Sequence, residues 1–451
     1  MKILTNLIFF CVLITVGINS ANAQTVWTLQ KCIDYALENN LTVKQGKLAV
    51  KSSEYTLLQS KESVLPSASA FAGNAINFGR NINPTDNTYT IQKVQSSQFG
   101  VSAQLVLFNG FSIANTIKLS SINEEASKKD LEVIANNISL QIATQFLQIL
   151  FNQEAINVVK SRIISTDKQL ETSKILFNAG NTNQSSVFEL EAKLSSDKLD
   201  LVNAENNYNL SLLGLANLLQ VPFDENFKIE SPEVAIPSEI ITEGTKNIYD
   251  KATKIMPEIE VAILRHKAAV MQKNVTKSGY YPSLSLSGNI NTLYSDNFVI
   301  PTGVNTYKTI PFSTQIDGNL GQSISLNLNV PIYSRGRVRL NVKQANITTE
   351  QQKLNMQQAE NTLYTSVANA VANYKAAQAK YVALNEAVLS QKKNYDFNVL
   401  RFESGALSSA DMIISRTGYE VSEANLIQGK FDLVFRKVLL DFYRGKPIII
   451  K

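Results

Sequence analysis

The sequence predicts a mostly α, internally duplicated chain that also contributes four strands to a membrane β-barrel. Three observations carry this: an apolar leader, a seven-residue apolar stripe that occurs twice, and four segments in which apolar residues alternate with Ser, Asn and Gln.

The leader sets the compartment. Lys2 gives a positive start, Ile3 to Val16 is mostly apolar, and Ala21-Asn22-Ala23 supplies a small-residue cleavage site, so residues 1–23 read as a secretory signal peptide and the mature chain begins at Gln24. The apolar run falls short of the roughly 20 residues that span a bilayer, and Cys11 behind the bulky Phe9-Phe10 does not suit lipidation. Without the leader Cys32 is the only thiol, so an intrachain disulfide is excluded.

Composition narrows the class. No later segment has the length and apolarity of a transmembrane helix, so any membrane crossing must use strands. The net charge of +5 falls to +4 when Lys2 leaves with the leader, and no basic cluster argues for nucleic acid. Charged residues are 18% of the chain, against a usual value of about 25%, and Asn, Gln and Ser carry much of the polarity. Such a surface suits a water-filled interior.

The duplication is the strongest internal signal. Ile142, Ile149, Ile156, Ile163, Leu170 and Phe177 recur every seven residues, and 225 positions on Val367, Tyr374, Tyr381, Val388, Tyr395 and Phe402 do the same. After a Gly-containing break, Val187, Leu194, Leu201, Tyr208 and Leu215 continue the period, matched by Met412, Tyr419, Leu426, Leu433 and Leu440. Sustained period seven means coiled helices with a left-handed supercoil.

Punctuation sets the helix lengths. Ile113 to Phe177 and Val338 to Glu403 contain neither Pro nor Gly, so each half allows one helix of about 65 residues, roughly 100 Å long. Asn178-Ala179-Gly180-Asn181 and Glu403-Ser404-Gly405 then turn the chain. Helices of about half that length return over Ser185 to Leu219 and Ser409 to Tyr443. Others precede the strands over Leu29 to Ser63 and Thr245 to Lys277. Two short helices end to end match one long one.

Strands are expected over about 66–80, 97–109, 282–295 and 319–333. Phe99, Val101, Ala103, Leu105 and Leu107 alternate with Gln98, Gly100, Ser102 and Gln104; Leu284, Leu286 and Ile290 alternate with Ser and Asn; Ile324, Leu326, Leu328 and Val330 alternate likewise. This is the apolar-out, polar-in pattern of an outer-membrane barrel. The first segment is blurred by Ala and Gly. Asn81 to Ser96 and Asn297 to Asp317, with Pro84, Pro301 and Pro311, read as exposed connections. Four strands cannot close a barrel of at least 8, so the chain must oligomerise. Two copies give 8 and three give 12, and the strands alone do not choose.

Leu65-Pro66-Ser67 matched by Tyr281-Pro282-Ser283, Leu107-Phe108-Asn109-Gly110 matched by Ile332-Tyr333-Ser334-Arg335-Gly336, and the repeated helix turns resemble the TolC outer-membrane efflux family over essentially the whole mature chain. The resemblance implies a homotrimer with one 12-stranded barrel in the outer-membrane lipid and a periplasmic α-barrel of 12 helices. A mixed collar would hold the linker at about 221–244, so that 24–451 is one unit of two repeats, about 24–220 and 245–443. It implies a passive exit duct of a tripartite efflux or type I secretion system, docked to a periplasmic adaptor and, through it, to an inner-membrane pump.

In that family the helix turn reads as an aromatic residue, a Gly three positions on, then Asp-Val-Leu. Phe402, Gly405 and Asp411-Met412-Ile413 match it; Phe177, Gly180 and Ser186-Val187-Phe188 match it with Ser186 in place of the acid. The resemblance makes these turns the adaptor-docking grooves, with Gly180, Gly405, Ala406 and Leu407 nearest the contact; the glycines can equally serve the turns alone. Asp411 is either one carboxylate of a three-fold ring at the periplasmic entrance or a helix N-terminal carboxylate. Ile414 stands where the family has a second Asp.

No enzyme, metal or cofactor emerges. His266, the only histidine, lies in a helical pattern, five Met and one mature Cys make no soft metal cluster, and no nucleotide loop occurs. A periplasmic coiled-coil structural protein and a stand-alone porin are the alternatives to the duct.

Overall fold

The computed structural model describes residues 26–82, 87–224, 227–303 and 306–449. The signal peptide expected over 1–23, and Pro84, lie outside them. The chain forms two compact units: one holds residues up to Lys47, Leu131–Met256 and Glu360 onward, the other Leu48–Asp130 and Pro257–Ala359.

The helices are α1 (Leu29–Asn39), α2 (Leu41–Glu62), α3 (Ser112–Asn178), α4 (Gln184–Leu219), α5 (Thr245–Ile255), α6 (Pro257–Lys277), the short α7 (Phe312–Gly318), α8 (Arg337–Glu403) and α9 (Ser409–Tyr443). The fold is mostly helical and duplicated, and α3 and α8 are each 67 residues without a break. Their heptad stripes supply the core of the first unit: Ile142, Ile149, Val367 and Tyr374 are fully buried, as are Leu215 of α4 and Leu440 of α9. Burying one Leu or Ile side chain contributes about 1.5–3 kcal/mol, so packing, more than intrinsic propensity, holds helices of this length.

The helices expected over 29–63 and 245–277 are each interrupted once. Asn40 is extended (φ −60°, ψ 134°) between α1 and α2; its side chain accepts from Thr42 N and donates to Leu218 O at 2.9 Å, replacing helical bonds with a cap and a tether to α4. In the second half Met256 is extended (φ −79°, ψ 119°) before Pro257. Proline disfavours helical geometry in the residue before it and suits the first position of a new helix.

In the second unit β1 (Ser67–Asn77), β4 (Val94–Asn109), β5 (Ser283–Ser295) and β8 (Gly321–Asn329) form one antiparallel sheet in the order β1-β4-β5-β8. All four strand–helix junctions fall at one end, where Ser67 is level with Gln104, Asn109 with Ser283, and Ser283 with Asn329. The connections at the other end hold structure of their own: hairpins β2–β3 (Arg80–Ile82, Tyr89–Ile91) and β6–β7 (Val299–Gly303, Thr306–Thr309), followed by α7. Gln315 of α7 pairs with both backbone groups of Ser295, satisfying β5 where β8 no longer accompanies it. In the first unit the linker at 221–244 contains, among the described residues, one parallel bridge, Ile229 to Trp27.

Candidate functional site

Register assigns each paired sheet residue to a face. One face carries rows such as Ala68, Ala103, Gly288 and Ile324, or Leu105, Leu286 and Leu326; the other carries Ser69, Ser102, Asn289 and Ser323, or Ser67, Gln104, Ser287 and Ser325. No Asp, Glu, Lys or Arg occurs in any of the four strands. Phe71 is an exception on the polar face, its ring over Gly100, where a Cβ would collide with it at 2.6 Å. A bulge between Val106 and Phe108 alters one expectation: Phe108, opposite Leu284, takes the apolar face where plain alternation places Leu107.

Aromatic residues mark both ends of the apolar face. At the loop end Phe312 of α7 contacts Phe99 and Tyr294 at ring distances of 6.2 and 5.2 Å; at the helix end Phe108 meets Phe111 edge to face at 5.2 Å. Tyr294 and Leu284, level with these two rows, are ten residues apart, about 34 Å of strand, or roughly 25 Å of height at the usual barrel tilt. That matches the apolar band of an outer-membrane barrel.

In the first unit the two tip turns have one geometry. Gly180 (φ +77°) and Gly405 (φ +73°) lie in the left-handed region; Asn181 N donates to Leu176 O and Ala406 N to Arg401 O, at 2.9 and 2.8 Å, so each long helix closes in the same six-residue loop. A Cβ at either glycine would meet open space. The glycines therefore serve backbone conformation, not intrachain clearance. Asn183 and Ser408 then cap the returning helices, accepting from Ser186 N and Asp411 N.

The site residues separate here. Phe402 is buried in a tip core with Leu170, Val187, Leu190 and Met412, with Leu407 packed against it, whereas Phe177, Gly180, Gly405 and Ala406 are exposed. Asp411 is exposed, and its Oδ2 accepts from Ser408 Oγ at 2.7 Å, a reciprocal capping pair at the helix N-terminus. The two turns are joined: Ser409 Oγ lies 3.0 Å from Ser186 Oγ and donates to Glu189 Oε2 at 2.5 Å. Ser186, in the place of the family acid, thus packs against the other half.

Sequence reasoning missed a buried ion cluster in this unit. Arg416 of α9 reaches Glu420 at 2.7 Å, Asp197 of α4 at 3.2 Å, and Gln169 and the Arg162 carbonyl of α3 at 3.2 and 3.1 Å. Lys193 bridges Asp197 and Glu420 at 3.1 and 2.9 Å, and Thr166 donates to Asp197. The only available signal was Lys193/Asp197 and Arg416/Glu420 at i, i+4 spacing, which is common on exposed helices.

Long coiled helices joined to an uncharged, two-faced sheet of membrane height define a channel-forming outer-membrane protein. The chain belongs to the family described as outer membrane efflux protein, which matches residues 32–220 and 248–436. It is an outer-membrane exit duct whose helical part lies in the periplasm. It is 21% identical over 416 residues to the outer membrane protein TolC of Vibrio cholerae, covering 91% of this chain and 90% of that one. It is also 21% identical to toxin and drug export protein A of Aggregatibacter actinomycetemcomitans, over 90% and 83% of the two chains. In fold it resembles the solved structures of CusC (TM-score 0.78, 14% identity, 93% and 92% covered) and of the Campylobacter jejuni CmeC outer membrane channel (TM-score 0.74, 19% identity, 92% and 85% covered).

Proposed function

We propose that three copies close one 12-stranded barrel and act as the passive outer-membrane component of a tripartite efflux or type I secretion system. The tip turns around Gly180, Gly405, Ala406 and Leu407, with Phe177 and the supporting Phe402, receive a periplasmic adaptor that links the duct to an inner-membrane pump. The observation that carries the reading is the open sheet: among the described residues β1 and β8 each have one unpaired edge, and an unpaired edge in lipid costs several kcal/mol per backbone group. Pairing β8 of one copy with β1 of the next removes every edge. The energy comes from the pump, and this chain performs no catalysis and holds no cofactor.

At the entrance, three copies would bring three Asp411 carboxylates around one axis, in addition to their capping role. Intersubunit cross-linking and mass measurement of the detergent-solubilised protein test the assembly. A trimer is expected, and a stable monomer or dimer overturns it. Low resting conductance in planar bilayers is expected of a duct closed at its tip; high resting conductance supports the stand-alone porin instead.

A further inference from the structure

Where the four helices meet the sheet, charge is distributed unequally. The strands carry none, but three of the four segments at their helix end, Ser112–Asn123, Met271–Pro282 and Val330–Thr349, contain seven Lys or Arg and no Asp or Glu. The fourth, at the end of α2, has Lys61 beside Glu62. Lys118, Lys277, Arg335, Arg337 and Arg339 are all exposed. Among the described residues none of these five forms an ion pair, whereas Lys129 and Arg265, further along the same helices, pair with Glu260 and Asp130 at 3.1 and 2.9 Å. Arg337 and Arg339 also occupy the first turn of α8, where the helix dipole disfavours a cation. Neither local pairing nor the dipole accounts for this band of charge.

Its position supplies the partner. The band follows directly on the aromatic row of Phe108 and Phe111 and on the exposed Tyr280, Tyr281 and Tyr333, the residue types that settle at a membrane–water interface. One turn beyond such a row lies the headgroup zone, and because the helices are periplasmic, this is the periplasm-facing leaflet. We propose that the basic band around Arg335, Arg337 and Arg339 binds the phosphates of anionic glycerophospholipids in that leaflet and fixes the depth of the barrel. Arginine suits this role because its planar fork matches phosphate oxygens in pairs. The loop end differs, with Asp296 and Asp317 alongside Arg80, Lys93 and Lys308, so the surface is polarised across the membrane. The inference rests on the sheet being the membrane-embedded part.

The test is reconstitution of the full mature protein into phosphatidylcholine vesicles with and without phosphatidylglycerol, followed by measurement of the lipid retained after detergent exchange. The wild type should retain phosphatidylglycerol over phosphatidylcholine. R335Q/R337Q/R339Q should lower that preference roughly tenfold, since each exposed cation adds only modestly to binding an anionic surface, and raised salt should do likewise. Should the triple variant fail to insert, K118Q/K277Q is expected to show a smaller loss in the same direction. Soluble glycerol phosphate should not displace the lipid. Equal retention of both lipids by the wild type, an unchanged preference in an inserted variant, or full displacement by glycerol phosphate overturns the proposal. Failure of the wild type to float with either vesicle overturns the membrane reading itself.

Discussion

The Arg416 guanidinium lies 3.2 Å from the Asp197 carboxylate, with the two side chains 2% and 1% exposed. It is a charge pair inside a helix interface, joining the returning helices of both repeats. Removing one partner of a buried pair leaves the other uncompensated and costs about 3–5 kcal/mol, whereas replacing a whole cluster by apolar groups can be neutral. Arg416→Met should therefore lower the thermal midpoint of the detergent-solubilised protein markedly, and Asp197→Asn less, since Asn still accepts from Thr166. A double variant less damaging than the sum of the two singles is expected. Additive effects would show that the pair is not coupled.

Gly405 should tolerate Asn but not Val. A Cβ at this position meets open space, so the expected difference is conformational: φ +73° strains a β-branched residue by about 1–3 kcal/mol, whereas Asn visits this region readily. Export by the assembled system should survive Gly405→Asn and fail with Gly405→Val, while both variants still insert in the outer membrane. Normal export by Gly405→Val would show that the turn geometry is dispensable for docking.

Asp411→Asn separates the ring from the cap. The substitution keeps shape and part of the hydrogen bonding with Ser408; if three copies of Asp411 ring the entrance as proposed, it also removes three charges there, so bilayer conductance should lose cation preference and block by multivalent cations should weaken. Exposed charges are screened over about 10 Å at 0.1 M salt, which makes low-salt recordings the sensitive ones. Unchanged selectivity there would leave Asp411 with its capping role alone.

Acid sensitivity should trace in part to Glu239. Hydrogen bonds from Lys437 and Arg444, at 2.8 and 2.9 Å, pull its carboxyl down to about 2 from an ordinary value of 4.5. A depressed folded-state value means stabilisation that is complete above about pH 4.5 and lost as pH falls toward 2. The side chain is 41% exposed, so the contribution is under about 1 kcal/mol. Glu239→Gln should flatten the dependence of the thermal midpoint on pH across this window; an identical slope in both proteins would assign the acid limb to other carboxylates.

Much of this protein is local periodicity, and periodicity is legible. Residues seven apart from Ile142 to Leu170 had to share one buried stripe, residues two apart from Phe99 to Leu105 had to share one sheet face, and Gly180 and Gly405 had to end the long helices, because pitch, pleat and positive φ are properties of short stretches. The break at Met256 was also visible in principle, since Pro257 stands beside it. What lay beyond the sequence depended on partners far along the chain. Asn40 leaves the helix through a bond to Leu218; Leu107 yields its face to Phe108 because β5 sets the register; Phe402 is buried and Phe177 exposed because the two otherwise equivalent turns pack differently. Arg416 meets Asp197 and Gln169 across more than 200 positions. Heptad spacing tells each helix which side to bury, but which helix covers that side, and which charges are thereby taken out of water, is decided only when the helices pack.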